Sequence, residues 1–329
     1  MGIDVRFLAG SDVERQDAGA LPSLLARTDG LTWVDIPACD AEAEHVLSHV
    51  FGFHPLAVRG CVERNRMPKV HAYTDHVFVV LHGPEQGRAG HIHYVELDLF
   101  VGPNYLVTVH GPVNPAVDPA VALRETRAVL ERIEAGRLRP RAPVELLYAV
   151  VSTVARTMEG LIEELTSDAW RLEQVVTAGD IDDSEDFLEE LFQTRHGLLA
   201  VRTMAALSRE IHDRVATVAR FIGDDGRPFV DDLVEQFDRV RGIADGQKEY
   251  VEGVIEHYRT RTETKMTIAA ERLAVIAVVT LPITALASIY GMNVIVNGET
   301  DFVHLTVVLV VMAAMSAALL RWAKRQGWW

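Results

Sequence analysis

The stretch LAVIAVVTLPITALASIYGM, Leu273 to Met292, decides how this 329-residue chain is read. It holds no charged residue. As a helix rising about 1.5 Å per residue it matches the roughly 30 Å hydrocarbon core of a bilayer. A second uncharged run, FVHLTVVLVVMAAMSAALL, covers Phe302–Leu320 between Asp301 and Arg321. Trp322, Trp328 and Trp329 after it suit an interfacial aromatic belt. Two such runs, so flanked, predict two transmembrane helices rather than a hairpin buried in a soluble core.

The flanks set an orientation. Arg259, Arg261, Lys265 and Arg272 precede the first span, and Arg321, Lys324 and Arg325 follow the second, while the Asn293–Asp301 loop has no basic residue. The positive-inside rule then predicts both termini in the cytoplasm and the loop outside. The N-terminus, with Asp4 and Arg6 and no long apolar run, does not read as a secretory signal. The expectation is a multi-pass protein of the inner or plasma membrane.

Outside the spans the chain is acidic. There are 47 acidic and 32 basic residues, a net charge of −15. Leu273 to the end sums to +1, so residues 1–272 carry −16. That balance argues against nucleic acid as a partner and is compatible with cations. Cys39 and Cys61, without CxxC spacing, support neither a disulfide scaffold nor a thiolate zinc finger, and fit a reducing compartment. No GxSxG, Walker-type, HExxH or zinc-deaminase spacing occurs, so an enzyme is not expected.

Residues 1–30 show little periodicity. Leu31–Ile36, Lys69–His82 and His91–His110 read as strands and Ala41–Phe51 as a helix, with a turn at GPEQGRAG and a linker from Pro112 to Pro119. Helices are then predicted over Ala120–Ala135, Pro143–Ala178, Ser184–Ile222 and Phe229–Met292. The acidic run Asp180, Asp182, Asp183, Glu185, Asp186, Glu189 and Glu190 reads first as helix N-terminal charge and a solvated turn, alternatively as a cation-attracting reservoir. His71, His76, His82, His91 and His93 are either polar strand positions or a zinc or cobalt sensing site.

The last long helix carries most of the information. Leu233, Phe237, Val240, Ala244, Gln247, Val251, Val254 and Tyr258 follow a 4-3 spacing, a seam that needs either the preceding helices or copies of itself. Glu249, Glu256 and Glu263 recur every seven residues, as a solvated face or as an acidic ladder along a shared lumen. Thr280, Thr284 and Ser288 share a face of the first span. They are back-bonded or helix-gluing hydroxyls, or they line a watery path. A two-span chain encloses a pore only as a homo-oligomer.

Tyr290-Gly291-Met292-Asn293 ends the first span. The GMN tripeptide in that place resembles the signature of CorA-type magnesium transporters, two-span GxN/GMN divalent cation transporters. Pro282 in mid-span, Tyr290, His54-Pro55-Leu56, Arg66-Met67-Pro68-Lys69-Val70, the strand His76–Leu81 and the basic, aromatic C-terminal tail extend the resemblance over roughly residues 50 to 329. It implies an α/β cytoplasmic lobe, a long α-helical stalk and two C-terminal transmembrane helices in a funnel-shaped homopentamer. The corresponding division is 1–119 lobe and linker, 120–225 long cytoplasmic helices, 226–292 stalk and first span, 293–301 external loop, 302–322 second span and 323–329 basic tail.

The expected function is Mg²⁺ uptake down the membrane potential, with Co²⁺ and Ni²⁺ as further candidates and gating by intracellular Mg²⁺. Mg²⁺ would be both cargo and regulatory ion. Gly291, Met292 and Asn293 would form the selectivity filter. Ser288, Thr284, Leu281, Ala277, Leu273, Glu256 and Glu249 would line the pore, and Glu299 and Asp301 would attract cations outside. The resemblance also implies a regulatory metal site at Asp232, with Asp231 beside it; Glu85 is taken as the facing partner on the lobe, and the alternative is that the two aspartates only favour the N-terminus of the stalk helix after Pro228. Departures are the short external loop, Leu281 where some relatives have methionine, and Ala270 and Thr267 in place of bulkier or amide residues. The alternatives are a zinc transporter like the ZntB group, whose tripeptide varies in the middle, and a non-conducting membrane-tethered coiled-coil scaffold.

Overall fold

The computed structural model describes residues 2–10, 12–179, 181, 183–219, 222–291 and 302–325. By internal contacts the chain divides into two units, Met1–Val254 and Ile255–Trp329.

The first unit opens with strands β1 Asp4–Ala9 and β2 Asp12–Gln16, helix α1 Leu21–Leu25 and strand β3 Leu31–Ile36. Helices α2 Ala41–His45 and α3 Pro55–Val62 follow, then β4 Lys69–Ala72, β5 Val77–Gln86, β6 Ile92–Val101 and β7 Tyr105–Val109. The seven strands form one sheet in the order β2-β1-β3-β7-β6-β5-β4. Among the described strands only the β3–β7 pair is parallel. The first eight residues of β5 are all buried, because both sheet faces are covered, and such a strand reads as an unbroken apolar run. One face packs on α1, α2 and α3 through Leu21, Val34, Leu47, Cys61, Phe78 and Phe100.

Helices α4 Pro119–Ala122, α5 Arg124–Glu134, α6 Pro143–Ala178, α7 Ser184–Val218 and α8 Arg227–Gly291 follow. Both α6 and α7 lie against β5. Local chemistry sets their ends. Gly179 adopts a left-handed φ of 86°, closing α6. The Asp183 carboxylate accepts the backbone N–H groups of Glu185 at 2.7 Å and Asp186 at 3.3 Å, opening α7. Asp183, Glu185 and Asp186 are therefore helix-opening charges; Asp180 and Asp182 lie outside the described residues.

Several sequence expectations need correction. The first 30 residues contain the β1–β2 hairpin and α1. Strand β1 buries Val5, Phe7 and Leu8 and pairs with both the polar β2 and β3, and Arg6 ties β1 to Glu134 at 3.0 Å. The expected strand Lys69–His82 is two strands, β4 and β5, and His91–His110 is also two, β6 and β7. The turn between β5 and β6 begins at Gly87, so Gly83–Gln86 belong to the strand. Ala41–Phe51 passes from α-helix to a π turn over Val46–Val50. Ala120–Ala135 is broken into α4 and α5, and α7 stops at Val218.

The second unit holds the rest of α8 from Ile255 and helix α9 Phe302–Arg325. Both helices are long and apolar enough to cross a membrane, and none of their apolar windows is buried. Pro282 lies inside α8 without ending it.

Candidate functional site

The α8 seam is closed by the chain's own helices. Leu233, Phe237, Val240, Ala244, Val251 and Val254 are each at most 4% exposed. The His212 ring of α7 stacks on Phe237 with centroids 5.3 Å apart. Ion pairs flank the seam: Arg209–Asp238 at 3.3 Å, Arg195–Glu252 at 3.1 Å and Arg202–Asp245. Tyr250 donates a hydrogen bond to Glu173 of α6. His212 donates from Nδ1 to the Ser208 carbonyl at 2.7 Å, and burial pushes its pKa down to about 4, so it is a neutral core histidine.

Beyond Val254 the surface changes character. Leu273 is 67% exposed and Leu281 66%. Ala277, Thr284 and Ser288 are exposed as well. Thr280 donates its hydroxyl hydrogen to the Ile276 carbonyl at 2.8 Å, and Thr284 donates to the Thr280 carbonyl at 2.9 Å. Back-bonding orients these hydroxyls and leaves each oxygen facing outward as an acceptor. Gly291 is the last described residue of the helix. Met292, Asn293, Glu299 and Asp301 lie outside the described residues.

The acidic positions are solvated. Glu249 and Glu263 are exposed, and Glu256 meets Arg259 at 3.7 Å with both side chains 68% exposed. In sequence, Glu249, Glu256, Glu263, Ala270, Ala277, Thr284 and Gly291 fall on one seven-residue line. A straight helix drifts about 20° per heptad along such a line.

Two of the three candidate regulatory carboxylates have partners within the chain, and the third, Asp231, is exposed. Glu85 pairs with Arg124 at 2.8 Å. Asp232 accepts hydrogen bonds from Tyr148 Oη at 2.8 Å and Gln236 Nε2 at 2.6 Å. Sequence spacing did not reveal Arg124 and Tyr148, because Tyr148 and Asp232 are 84 residues apart and only the helix packing joins them. The histidines scatter: His76 and His82 are buried, His71 is exposed, and His91 and His93 meet edge to face at 4.7 Å. Among the described residues no group of three or more His, Cys, Asp or Glu side chains is placed to hold a metal ion.

The chain is similar to known proteins over most of its length. The profile of the CorA-like Mg²⁺ transporter protein family matches residues 28–325. The putative metal ion transporter YfjQ of Bacillus subtilis is 22% identical, covering 90% of this chain and 89% of its own length. The cobalt/magnesium transport protein CorA of Thermotoga maritima is also 22% identical, over 90% of this chain and 83% of its own. The solved structure of the CorA magnesium transporter from Methanocaldococcus jannaschii superposes with a TM-score of 0.81 at 15% identity, covering 100% of this chain and 99% of that one.

Proposed function

The chain belongs to the CorA-like Mg²⁺ transporter family, a family of membrane ion transporters rather than enzymes, and from that premise we propose that it conducts hydrated divalent cations as a homopentamer. Mg²⁺ is the first cargo and Co²⁺ the second, as for the cobalt/magnesium transport protein it resembles. Both termini lie in the cytoplasm, and the membrane potential drives uptake, about 2.3 kcal/mol per charge per 100 mV.

The supporting observation is the exposed face of α8 from Leu273 to Ser288, with hydroxyl hydrogens turned back into the helix. A hydrated Mg²⁺ ion presents water hydrogens outward and holds its waters tightly. Threonine oxygens with their own hydrogens committed to the backbone have the polarity to accept them. Around a common axis, Thr284 forms a ring of acceptors, and Leu281 and Leu273 form apolar constrictions that close by dewetting. Asn293 and the Gly291 carbonyl make the outer filter, where neutral amide oxygens hold the hydrated ion without trapping it. Met292 completes the tripeptide. Glu299 and Asp301 raise the external cation concentration, and Glu256 and Glu249 receive the ion inside.

Gating by intracellular Mg²⁺ follows from the acidic cytoplasmic part. Asp231, and Asp232 once freed from Tyr148 and Gln236, face a neighbouring subunit, and a bound cation turns repulsion into a bridge. Glu85 reaches such a site only by leaving Arg124.

The test is flux into liposomes with Mg²⁺, Co²⁺, Ni²⁺ and Zn²⁺, with and without a proton gradient. Wild type should carry Mg²⁺ and Co²⁺, and Asn293→Ala should abolish both while leaving the oligomer assembled. Normal flux in Asn293→Ala would remove the filter assignment, and flux of Zn²⁺ alone would replace the cargo.

A further inference from the structure

The lobe contains two carboxylates where soluble domains rarely place them. Asp98 lies in the middle of β6, 0% exposed, opposite Val80 of β5 and Val109 of β7, both apolar. Neither of its oxygens accepts a hydrogen bond among the described residues, and the polar groups beside it are the Cys61 thiol and the Glu96 carboxyl. Glu96, two residues earlier on the same strand face, is 5% exposed. An ionised carboxylate so placed would lack compensation for the water it has left.

The surrounding groups decide which acid is charged. Asn65, between α3 and β4, donates its backbone N–H to Glu96 Oε2 at 2.8 Å and its side-chain amide to Oε1 at 2.5 Å. Two donors on two oxygens mark Glu96 as the carboxylate. The ionisable neighbours of Asp98 are Glu96 itself, Cys61 of α3, Cys39 after β3 and the more distant Lys69 of β4, with His82 of β5 opposite Glu96. Cys61 already donates to the Ala57 carbonyl at 3.6 Å. Burial first, and then the charge of Glu96, push the Asp98 carboxyl well above its ordinary range.

We propose that Asp98 and Glu96 form a proton-binding site, in which Asp98 carries a proton at neutral pH and donates it to the Glu96 carboxylate. That bond holds Glu96 toward Asn65. The Asn65 amide also donates to the Gly60 carbonyl at 2.6 Å, and the Asn65 carbonyl accepts from His82 Nε2 at 2.9 Å. One proton thereby pins the segment between α3 and β4 to the sheet. A cleft of about 40 Å³ bordered by Arg64, Tyr94 and Glu96 gives the proton a way in and out. Removing it leaves two negative charges together out of water, and their separation pulls Glu96 off Asn65.

The test uses the full chain in detergent. Infrared spectra of the wild type at neutral pH should show the C=O band of a buried carboxylic acid, lost reversibly on alkaline titration. Asp98→Asn should lose that band. Glu96→Gln removes the neighbouring charge, so its band should vanish at lower pH than in the wild type. A raised folded-state pKa gives stability that is full at acid pH and declines as pH rises. The unfolding midpoint of Asp98→Asn should therefore gain on wild type by about 3 °C or more between about pH 5 and about pH 8. A wild-type spectrum without an acid band at neutral pH overturns the proposal even if both variants fail to fold. So does an Asp98→Asn chain with an unchanged band and an unfolding midpoint parallel to wild type.

Discussion

Helix α8 has two halves of opposite character. From Arg227 to Val254 it buries a seam of Leu233, Phe237, Val240, Ala244, Val251 and Val254 against α6 and α7 and fixes it with ion pairs. From Ile255 to Gly291 its apolar residues stay bare, with Leu273, Ile276 and Leu281 all more than half exposed. Burying a leucine or isoleucine contributes roughly 1.5–3 kcal/mol. The first half is thus stabilised inside one chain, whereas the apolar part of the second, from Leu273, is stable in lipid or against other copies. One helix carries both a soluble-protein interior and an apolar surface long enough for a membrane, separated by the charged, mostly exposed residues 255–272.

The largest effect should come from breaking the closed half. Phe237→Ala removes a fully buried ring stacked on His212 and should cost about 3–5 kcal/mol in chemical unfolding of the full chain in detergent. Leu281→Ala, on the bare half, should change cation flux while leaving the lobe's unfolding midpoint in place. Equal destabilisation by the two would erase the distinction between the halves.

Next comes acid. His212 is buried neutral, with its pKa pushed down to about 4 from an unfolded value near 6.5. Its contribution is present above about pH 6.5 and lost as pH falls toward 4, up to about 3 kcal/mol. Unfolding midpoints measured from about pH 7 to about pH 4 should fall more steeply in wild type than in His212→Gln. Parallel curves would show that this histidine does not titrate on unfolding.

The ion pairs rank last. Arg195 and Glu252 are each 41% exposed, so Arg195→Ala should cost less than about 1 kcal/mol, and less still at high salt. A larger, salt-insensitive loss would mean that the pair, not the apolar seam, holds the closed half.

Much of this was legible in the residue order. The two apolar spans, the extent of α6, the strand Leu31–Ile36 and six of the eight seam positions, all but the half-buried Gln247 and Tyr258, come from charge distribution and local periodicity, which act within a few residues. The candidate filter rested on Gly291-Met292-Asn293 and its place at the end of a span. Tertiary structure decided what periodicity leaves open. Strand β2 of the β1–β2 hairpin is mostly polar, and the short β1 is held by pairing with β3, by Val5 and Phe7 in the core and by the Arg6–Glu134 ion pair. Sequence left α6 and α7 or a second copy as partners for the seam, and packing chose the chain's own helices. Glu85 belongs to Arg124 and Asp232 to Tyr148 because those groups fold into reach from 39 and 84 residues away. Asp98 reads as an ordinary strand acid until the sheet is covered on both faces. Local patterns depend on backbone geometry over one or two turns, whereas the state of a charge depends on which distant side chains displace its water.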